Sequence, residues 1–370
     1  MATFYVGLDV HSKQSTFVVQ TEAGAEVGSG SVPTSTDGLK GMRDRFHLPP
    51  ATPVGLETGT VSFFVARQLQ RLGLVPVVID AREVRAKAHR PTQKSDRRDA
   101  LAICDGVRSG QYRSIVHVPP LAISALRDAL SRRRHFIRQQ TSEVNAAKRL
   151  VRAAGLGHLV RSSLRTRVGW TRLVRWLRDE PELCGHVELH QAAWQSAAAQ
   201  VSVLETRLCE LAVPHAQDLS RLQTVPGVGP IVALTTIAIF SDVQRFPSAK
   251  HAASYAGLVP STYQSGDRDA HGHITRRGSA ELRAMLCEAA HHACRPQHPL
   301  HPYFARLCAL RGHRMAVVAL AHRLCRILFA MLRTGSEFDV SRLGVEPGPF
   351  EKKVVRYWRL KRMAPVTDRI

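Results

Sequence analysis

The sequence predicts three parts: an α/β domain at the N-terminus, a basic helical connector, and a mainly α-helical C-terminal domain. Three observations carry that reading. Short apolar runs and amphipathic stretches alternate in the order βββαβα up to Leu72, apolar side chains recur at helical spacing amid arginines from Ala122 to Val213, and glycine-rich turns separate further helical segments beyond Leu222. At 370 residues the chain exceeds what one hydrophobic core usually serves.

The elements follow in order. Phe4 to Asp9 (FYVGLD) and Ser15 to Gln20 (STFVVQ) are apolar runs on either side of a polar turn at His11 to Gln14, which predicts a hairpin. A third strand is expected at Glu26 to Val32, after the turn signal at Glu22 to Gly24. The period then changes: Asp37 to Phe46 predicts a helix, Pro53 to Glu57 a strand, Val61 to Leu72 an amphipathic helix and Val75 to Asp80 a buried strand. A helical stretch at Asp96 to Val107 closes the first unit, and Pro119 with Pro120 interrupts regular structure. Residues 1–118 are therefore expected as the first domain.

Apolar positions at Leu126, Leu130, Phe136, Ile137, Val144, Leu150 and Val151 imply a long helix that breaks near Gly155 and Gly157, and a second is expected from Ala192 to Val213. Between them lie many arginines, and the heptads are too irregular to fix a coiled coil. Residues 119–215 form this connector. The domain at 216–340 is expected to hold helices at Ile231 to Phe240, Ala249 to Tyr255, Ser279 to His292 and Met315 to Leu332. A basic tail at 341–370 combines cations with Tyr357 and Trp358, which suits phosphate contact and base stacking, or equally a solvated helix.

Charge narrows the partners. With 52 Lys and Arg against 30 Asp and Glu, the formal net charge of +22 repels itself unless a polyanion neutralises it, and nucleic acid is the natural one. No apolar run is read as reaching the ~18 residues that span a bilayer, and no secretory signal is recognised, so a membrane partner is not expected. Seven cysteines without a CxxC pair predict free thiols in a reducing compartment.

Against this basic background, four acids stand at element ends. Asp9 closes the first strand, Glu57 a later one, and Asp96 and Asp99 open a helix on which positions three apart share a face. Clustered carboxylates are costly without a cation, and Mg2+ takes oxygen ligands and stabilises charge on a phosphate, so the set suits metal-dependent phosphodiester chemistry. Taken singly, Asp96 also reads as a helix cap, Asp99 as a solvated first-turn acid and Asp9 as a turn residue. The motifs GLDVHS, GLETGT and KSDRRDA resemble those of the IS110 family of DEDD transposases, the bridge-RNA-guided recombinases of insertion sequences. That resemblance implies an RNase H-like first domain similar to the Holliday-junction resolvase RuvC, with Asp9, Glu57, Asp96 and Asp99 holding Mg2+, or Mn2+ in its place.

The segment GLVPSTYQSGDRDAHGHITRRGSAELR, from Gly257 to Arg283, resembles the second motif block of the same family. It implies Ser265 as nucleophile, with Arg268, Arg276 and Arg277 as a phosphate clamp. On its own residues, Ser265 with Gly266 also reads as a turn. Ser261, after a proline in an expected turn, and Ser279, at an expected helix N-cap, are the competing serines. The chain departs from the family pattern at Ser95, Gln264 and Asp267, none of which removes a proposed catalytic group. Arg132, Arg133 and Arg134 are the connector residues expected to bind nucleic acid.

Two weaker signals remain. Val225 to Pro230 (VPGVGP) resembles the turn of a helix-hairpin-helix module, or is a tight turn between packed helices. Cys287, His291, His292 and Cys294 fall within one expected helix, a spacing that fits zinc poorly, so no metal is assigned to them. The resemblance further implies donor and target DNA as substrates, a structured noncoding guide RNA that reads their sequence, a homodimer or homotetramer, and action in the bacterial cytoplasm at the nucleoid. A water-using junction nuclease and a noncatalytic nucleic-acid-binding protein are the alternatives.

Overall fold

The computed structural model describes residues 3–87, 95–161, 163–265 and 268–343, with the backbone alone for 262–265 and 268–271. Contacts divide the chain into two units, residues 1–119 and 120–370. Most of the tail at 341–370, and Lys94, lie outside the described residues.

In the first unit, β1 (Phe4–Val10), β2 (Gln14–Thr21) and β3 (Glu26–Pro33) form an antiparallel meander, as the alternation of FYVGLD and STFVVQ predicts. Then come α1 (Thr36–Arg45), β4 (Pro53–Glu57), α2 (Ser62–Arg71), β5 (Val75–Ile79), α3 (Ala81–Lys87) and α4 (Asp96–Arg108). The sheet runs β3-β2-β1-β4-β5, with β4 parallel to β1 and β5 parallel to β4. Side chains alternate across a strand. Val6 and Leu8 of β1, with Val54 and Leu56 of β4, therefore face one way and share a core with Leu39 and Met42 of α1 and Val65 and Leu69 of α2. Gly7, Asp9, Gly55 and Glu57 belong to the opposite face, where Ile103 of α4 packs with Ile79 and Tyr112.

Helix α3 escaped the sequence reading because its seven residues are too few to establish a period. Its cap signal was present: the Asp80 carboxylate accepts from the Arg82 backbone N–H at 2.8 Å. Glu83, one turn on, accepts from Lys87 and from the backbone N–H groups of Arg113 and Ser114, pinning the segment after α4 beside α3.

The second unit is mostly helical. Helices α5 (Leu121–Ala153) and α7 (Pro181–Ala212) pack along each other, with α6 (Arg167–Trp176) between them in sequence. Arg133 pairs with Glu205 and Glu143 with His190, so the two long helices run antiparallel. At one end Val144, Ala147 and Val151 enclose Trp170, Val187 and Trp194; at the other Leu126 and Leu130 meet Leu208 and Leu234. Helix α7 starts well before the expected Ala192. Pro181 in its first turn is a start signal, but the polar run after it leaves too few apolar positions to reveal the period. Helix α6, hidden in the arginine-rich stretch, buries Trp170 and Leu173 and is capped by Thr166.

The rest comprises α8 (Ala216–Leu222), α9 (Pro230–Phe240), α10 (Ala249–Tyr255), a hairpin of β6 (Pro260–Ser265) and β7 (Arg268–Ile274), α11 (Ala280–Ala293), α12 (His301–Arg311) and α13 (His313–Thr334). Arg127 of α5 reaches the terminal carbonyls of α9, donating to Ala238 at 2.8 Å and Ile239 at 3.1 Å. The expectation that no apolar run could span a bilayer is corrected by α13, which is long and apolar enough to do so. Its Leu320, Leu324, Leu328 and Phe329 instead form the core of this unit.

Bonding to Lys87 and to the Arg113 and Ser114 amides holds the Glu83 carboxyl down at about 2, below its ordinary 4.5. A depressed carboxyl contributes stability above its unfolded value, and that contribution fades as pH falls toward the folded one. Glu83→Gln should therefore lower the melting temperature at pH 7, with the gap to wild type narrowing as pH is lowered from 5.5 to 3. A gap constant with pH would remove the Glu83 charge from the account.

Candidate active site

Two glycines set the site. Gly7 and Gly55 each stand two residues before an acid, so on a strand each shares a face with it. A Cβ at Gly7 would lie 2.0 Å from the Ala100 carbonyl oxygen, and one at Gly55 would lie 2.5 Å from Val107. Helix α4 therefore rests directly on β1 and β4, and its first turn comes down at the end of β1 that carries Asp9. The parallel register pairs Leu8 with Leu56, which sets those two acids side by side one residue later.

Ser95 caps α4 through the Arg98 N–H, and Arg97 grips both carboxylate oxygens of Glu26 at 2.8 Å, tying the start of the helix to β3. That bond and one from Ser29 hold the Glu26 carboxyl below its ordinary range. Asp96 comes to the strand end: His11 Nε2 lies 3.3 Å from Asp9 Oδ2 and 3.6 Å from Asp96 Oδ1. Ligand atoms of Asp9, His11 and Asp96 all fall within 4.8 Å of one another, an arrangement that a divalent cation would fit. Asp9 is the anchored member, with 16 % of its side chain exposed against 58 % for Asp96. Glu57, 4.0 Å from Arg85, and half-buried Asp99 lie outside that trio.

His11 was not singled out from the sequence. It immediately follows β1, two residues after Asp9 in the GLDVHS motif. Cys104, on the buried face of α4, is no rival nucleophile: burial, with Asp105 adding, pushes its thiol up to about 12.

In the second unit Ser265 ends β6 and is the register partner of Arg268, so the two flank the hairpin tip; their side chains lie outside the described residues. The competing serines have other work. Ser261 sits in a strand, not the expected turn, and donates to the His273 carbonyl at 3.0 Å. Ser279 caps α11 as expected, accepting from Leu282 N–H at 3.1 Å. Arg276 and Arg277 expose their side chains from a fixed corner: the Arg276 N–H bonds Gly257, and Gly278, at φ +96°, lies so near the Tyr255 carbonyl that no Cβ would fit.

The connector arginines differ. Arg132 is exposed, whereas Arg133 pairs with Glu205 at 3.0 Å and half-buried Arg134, with Arg138, faces Glu281 of α11. Burial raises the Glu281 carboxyl, and these two arginines oppose the rise. Beside the cluster weighed for zinc, His298 is engaged at both ring nitrogens, with the Pro226 carbonyl and the Leu300 N–H, and His301 bonds the carbonyl of Cys294, a member of that cluster.

Comparison with known proteins gives these features a class. Residues 6–154 match the DEDD transposase domain of IS110 elements, and residues 219–305 match the transposase IS116/IS110/IS902 family. The chain is thus a DNA transposase, an enzyme that cuts and joins strands. It belongs to the IS116/IS110/IS902 family. A Pseudomonas aeruginosa protein named as a probable family 20 transposase is 27 % identical over 312 residues, spanning 79 % of this chain and 87 % of that one. The transposase for insertion sequence element IS1111A of Coxiella burnetii is 26 % identical over 287 residues, 72 % and 73 % of the two chains. The pilin gene-inverting protein of Moraxella lacunata is 32 % identical over 123 residues, 32 % and 38 % of the two.

Because the Gly7 contact is with backbone, Gly7→Ala should destabilise the first unit by ~1–3 kcal/mol, the usual range for overpacking. Gly41→Ala, on α1 with open space around its Cβ, should instead raise the melting temperature through helix propensity. Thermal unfolding of both variants checks the pair. Equal effects would mean that α4 does not rest on Gly7.

Proposed function

We propose that the chain cuts and rejoins donor and target DNA with two groups of residues. Asp9, Glu57, Asp96 and Asp99 of an RNase H-like domain (residues 1–118) hold Mg2+, or Mn2+ in its place. Ser265 of a C-terminal domain (216–340) is the nucleophile. The acidic edge made by Asp9 and Asp96 carries the reading, and the meander continued by two parallel strands supports the RNase H-like assignment. Carboxylate oxygens are the hard donors that Mg2+ takes, and the His11 nitrogen is compatible with Mn2+. When bound, the cation supplies charge neutralisation at the scissile phosphate.

The Ser265 oxygen bonds to phosphorus, one ester bond breaks, and the departing sugar oxygen leaves as a hydroxyl after taking up the proton that the serine gives up. The strand end is then joined to the protein. Attack by a hydroxyl from another DNA end reverses the step, so joining consumes no external energy. Arg268, Arg276 and Arg277 hold phosphate oxygens through this exchange. A structured guide RNA reads the sequence by pairing, bound along the connector (119–215) and the basic tail (341–370), while a homodimer or homotetramer brings DNA ends together at the nucleoid in the cytoplasm.

The test is the protein–DNA adduct. Incubation with guide RNA and a nicked DNA that traps the cleaved intermediate should give a denaturant-resistant species whose modified peptide contains Ser265. Ser265→Ala should abolish the adduct and keep RNA binding; Asp9→Asn should abolish cleavage and keep DNA binding. Cleavage that persists in Ser265→Ala without any wild-type adduct would put a water-using junction nuclease in place of this mechanism.

The connector arginines should separate as well. Arg132→Gln should weaken nucleic-acid binding and reduce the slope of log K against log salt by ~1, the release of about one counterion. Arg133→Gln should lower the melting temperature by loosening α5 from α7. An unaltered slope for Arg132→Gln would leave that side chain solvent-facing only.

A further inference from the structure

A cavity of about 420 Å³ opens on the second unit between α5, α7, α11 and the loop before α6. Its lining sorts by chemistry. Trp194 and Val144 are buried and give it an apolar wall; Gln140 and Asn145 bring carboxamides; Lys148 and Arg165 bring positive charge; Glu288 brings one carboxylate. The volume falls within the range of small-ligand pockets, ~300–1,000 Å³. Arg149, Arg152, Arg161, Arg167, Arg172 and Arg175 are exposed on the adjoining end of the helix pair, where a polyanion backbone would be held.

A ligand that satisfies this lining needs a flat apolar face, a hydrogen-bonding edge and an anionic end. We propose that the cavity takes a single unstacked nucleotide, extruded from a bound polynucleotide. The base lies against the Trp194 wall, its edge is read by Gln140, Asn145 and Glu288, and its phosphate is held by Lys148 and Arg165. An ionised carboxylate only accepts, so Glu288 selects bases that present donors; guanine, with N1–H and the exocyclic amine side by side, offers one for each oxygen. Extrusion costs least for a base already unpaired, which directs the site toward bulges and loops. The proposal rests on the reading of this chain as a nucleic-acid enzyme and adds a nucleotide-reading site to it.

The test compares labelled hairpins that differ by one bulged guanosine, in RNA and DNA forms, by fluorescence anisotropy. Wild type should bind the bulged form at least tenfold tighter than the fully paired one. Lys148→Gln with Arg165→Gln, both surface changes, should reduce that ratio below threefold. Replacing the bulged guanosine by inosine, which lacks the exocyclic amine, should weaken wild type several-fold and Glu288→Gln hardly at all. A 6-thioguanosine at the bulge should photo-crosslink to residues 137–148 or to Trp194. Comparison of the RNA and DNA forms identifies the polymer, and competition by free guanosine monophosphate at equal concentration would place a free nucleotide there instead. Equal affinity for bulged and paired hairpins, or a crosslink elsewhere, overturns the site while leaving nucleic-acid binding intact. Loss of binding to both hairpins in wild type would overturn the wider reading as well.

Discussion

The first unit depends on how closely α4 approaches the sheet. Two absent side chains, at Gly7 and Gly55, let the helix backbone settle against β1 and β4, and everything at the acidic edge follows from that seating. The sheet alone would present Asp9 and Glu57 at neighbouring strand ends. Only with α4 pressed against it does a carboxylate oxygen of Asp96 come within 4.8 Å of the ligand atoms of Asp9 and His11. The bond between Arg97 and Glu26 then resists rotation of the helix about its axis.

The second unit is organised differently, by the antiparallel pair of α5 and α7. Each end of the pair has its own core: one gathers α6 around two tryptophans, the other joins α9. Polar pairs stand beside these cores, Arg133 with Glu205 and Glu143 with His190, while Ala197 and Val201 are buried in the stretch between. Arg127 adds to the apolar contact of Leu126 and Leu130 with Leu234 by donating to carbonyls at the end of α9, so that a cation as well as an apolar contact fixes α5 to that helix. Charge is therefore used twice in this chain, once internally to set helix register and again on the surface in large excess.

Much of the first unit was readable because its strands are short apolar runs bounded by turn residues. Glu57 ends a strand that the letters PVGLE already bounded, and Asp96 follows a capping serine. His11 was not readable in the same way, because nothing in a lone histidine beside a turn distinguishes a ligand from a solvated side chain until Asp96 is brought to it. In the second unit, the N-terminal part of α7 was missed, since Val187 is the one buried residue between Pro181 and Ala192 and one point does not make a period. The β6–β7 hairpin was missed for another reason: residues 260–274 are polar and glycine-bearing, so the letters show no apolar alternation. The candidate serine was found by resemblance, and its strand-end position was not visible in the letters.

The antiparallel pair also has a mechanical side. A helix of 33 residues, such as α5, is about 50 Å long at 1.5 Å per residue, longer than one ~34 Å turn of duplex nucleic acid. A strut of that length, locked to a second helix along its side, resists bending far better than either helix alone. A duplex lying along it would present its backbone to the cationic end of the strut only at a particular helical phase. Inserting or deleting a few base pairs would rotate that backbone away, whereas adding a whole turn would restore it. For any duplex laid along it, the helix pair would set length and helical phase together.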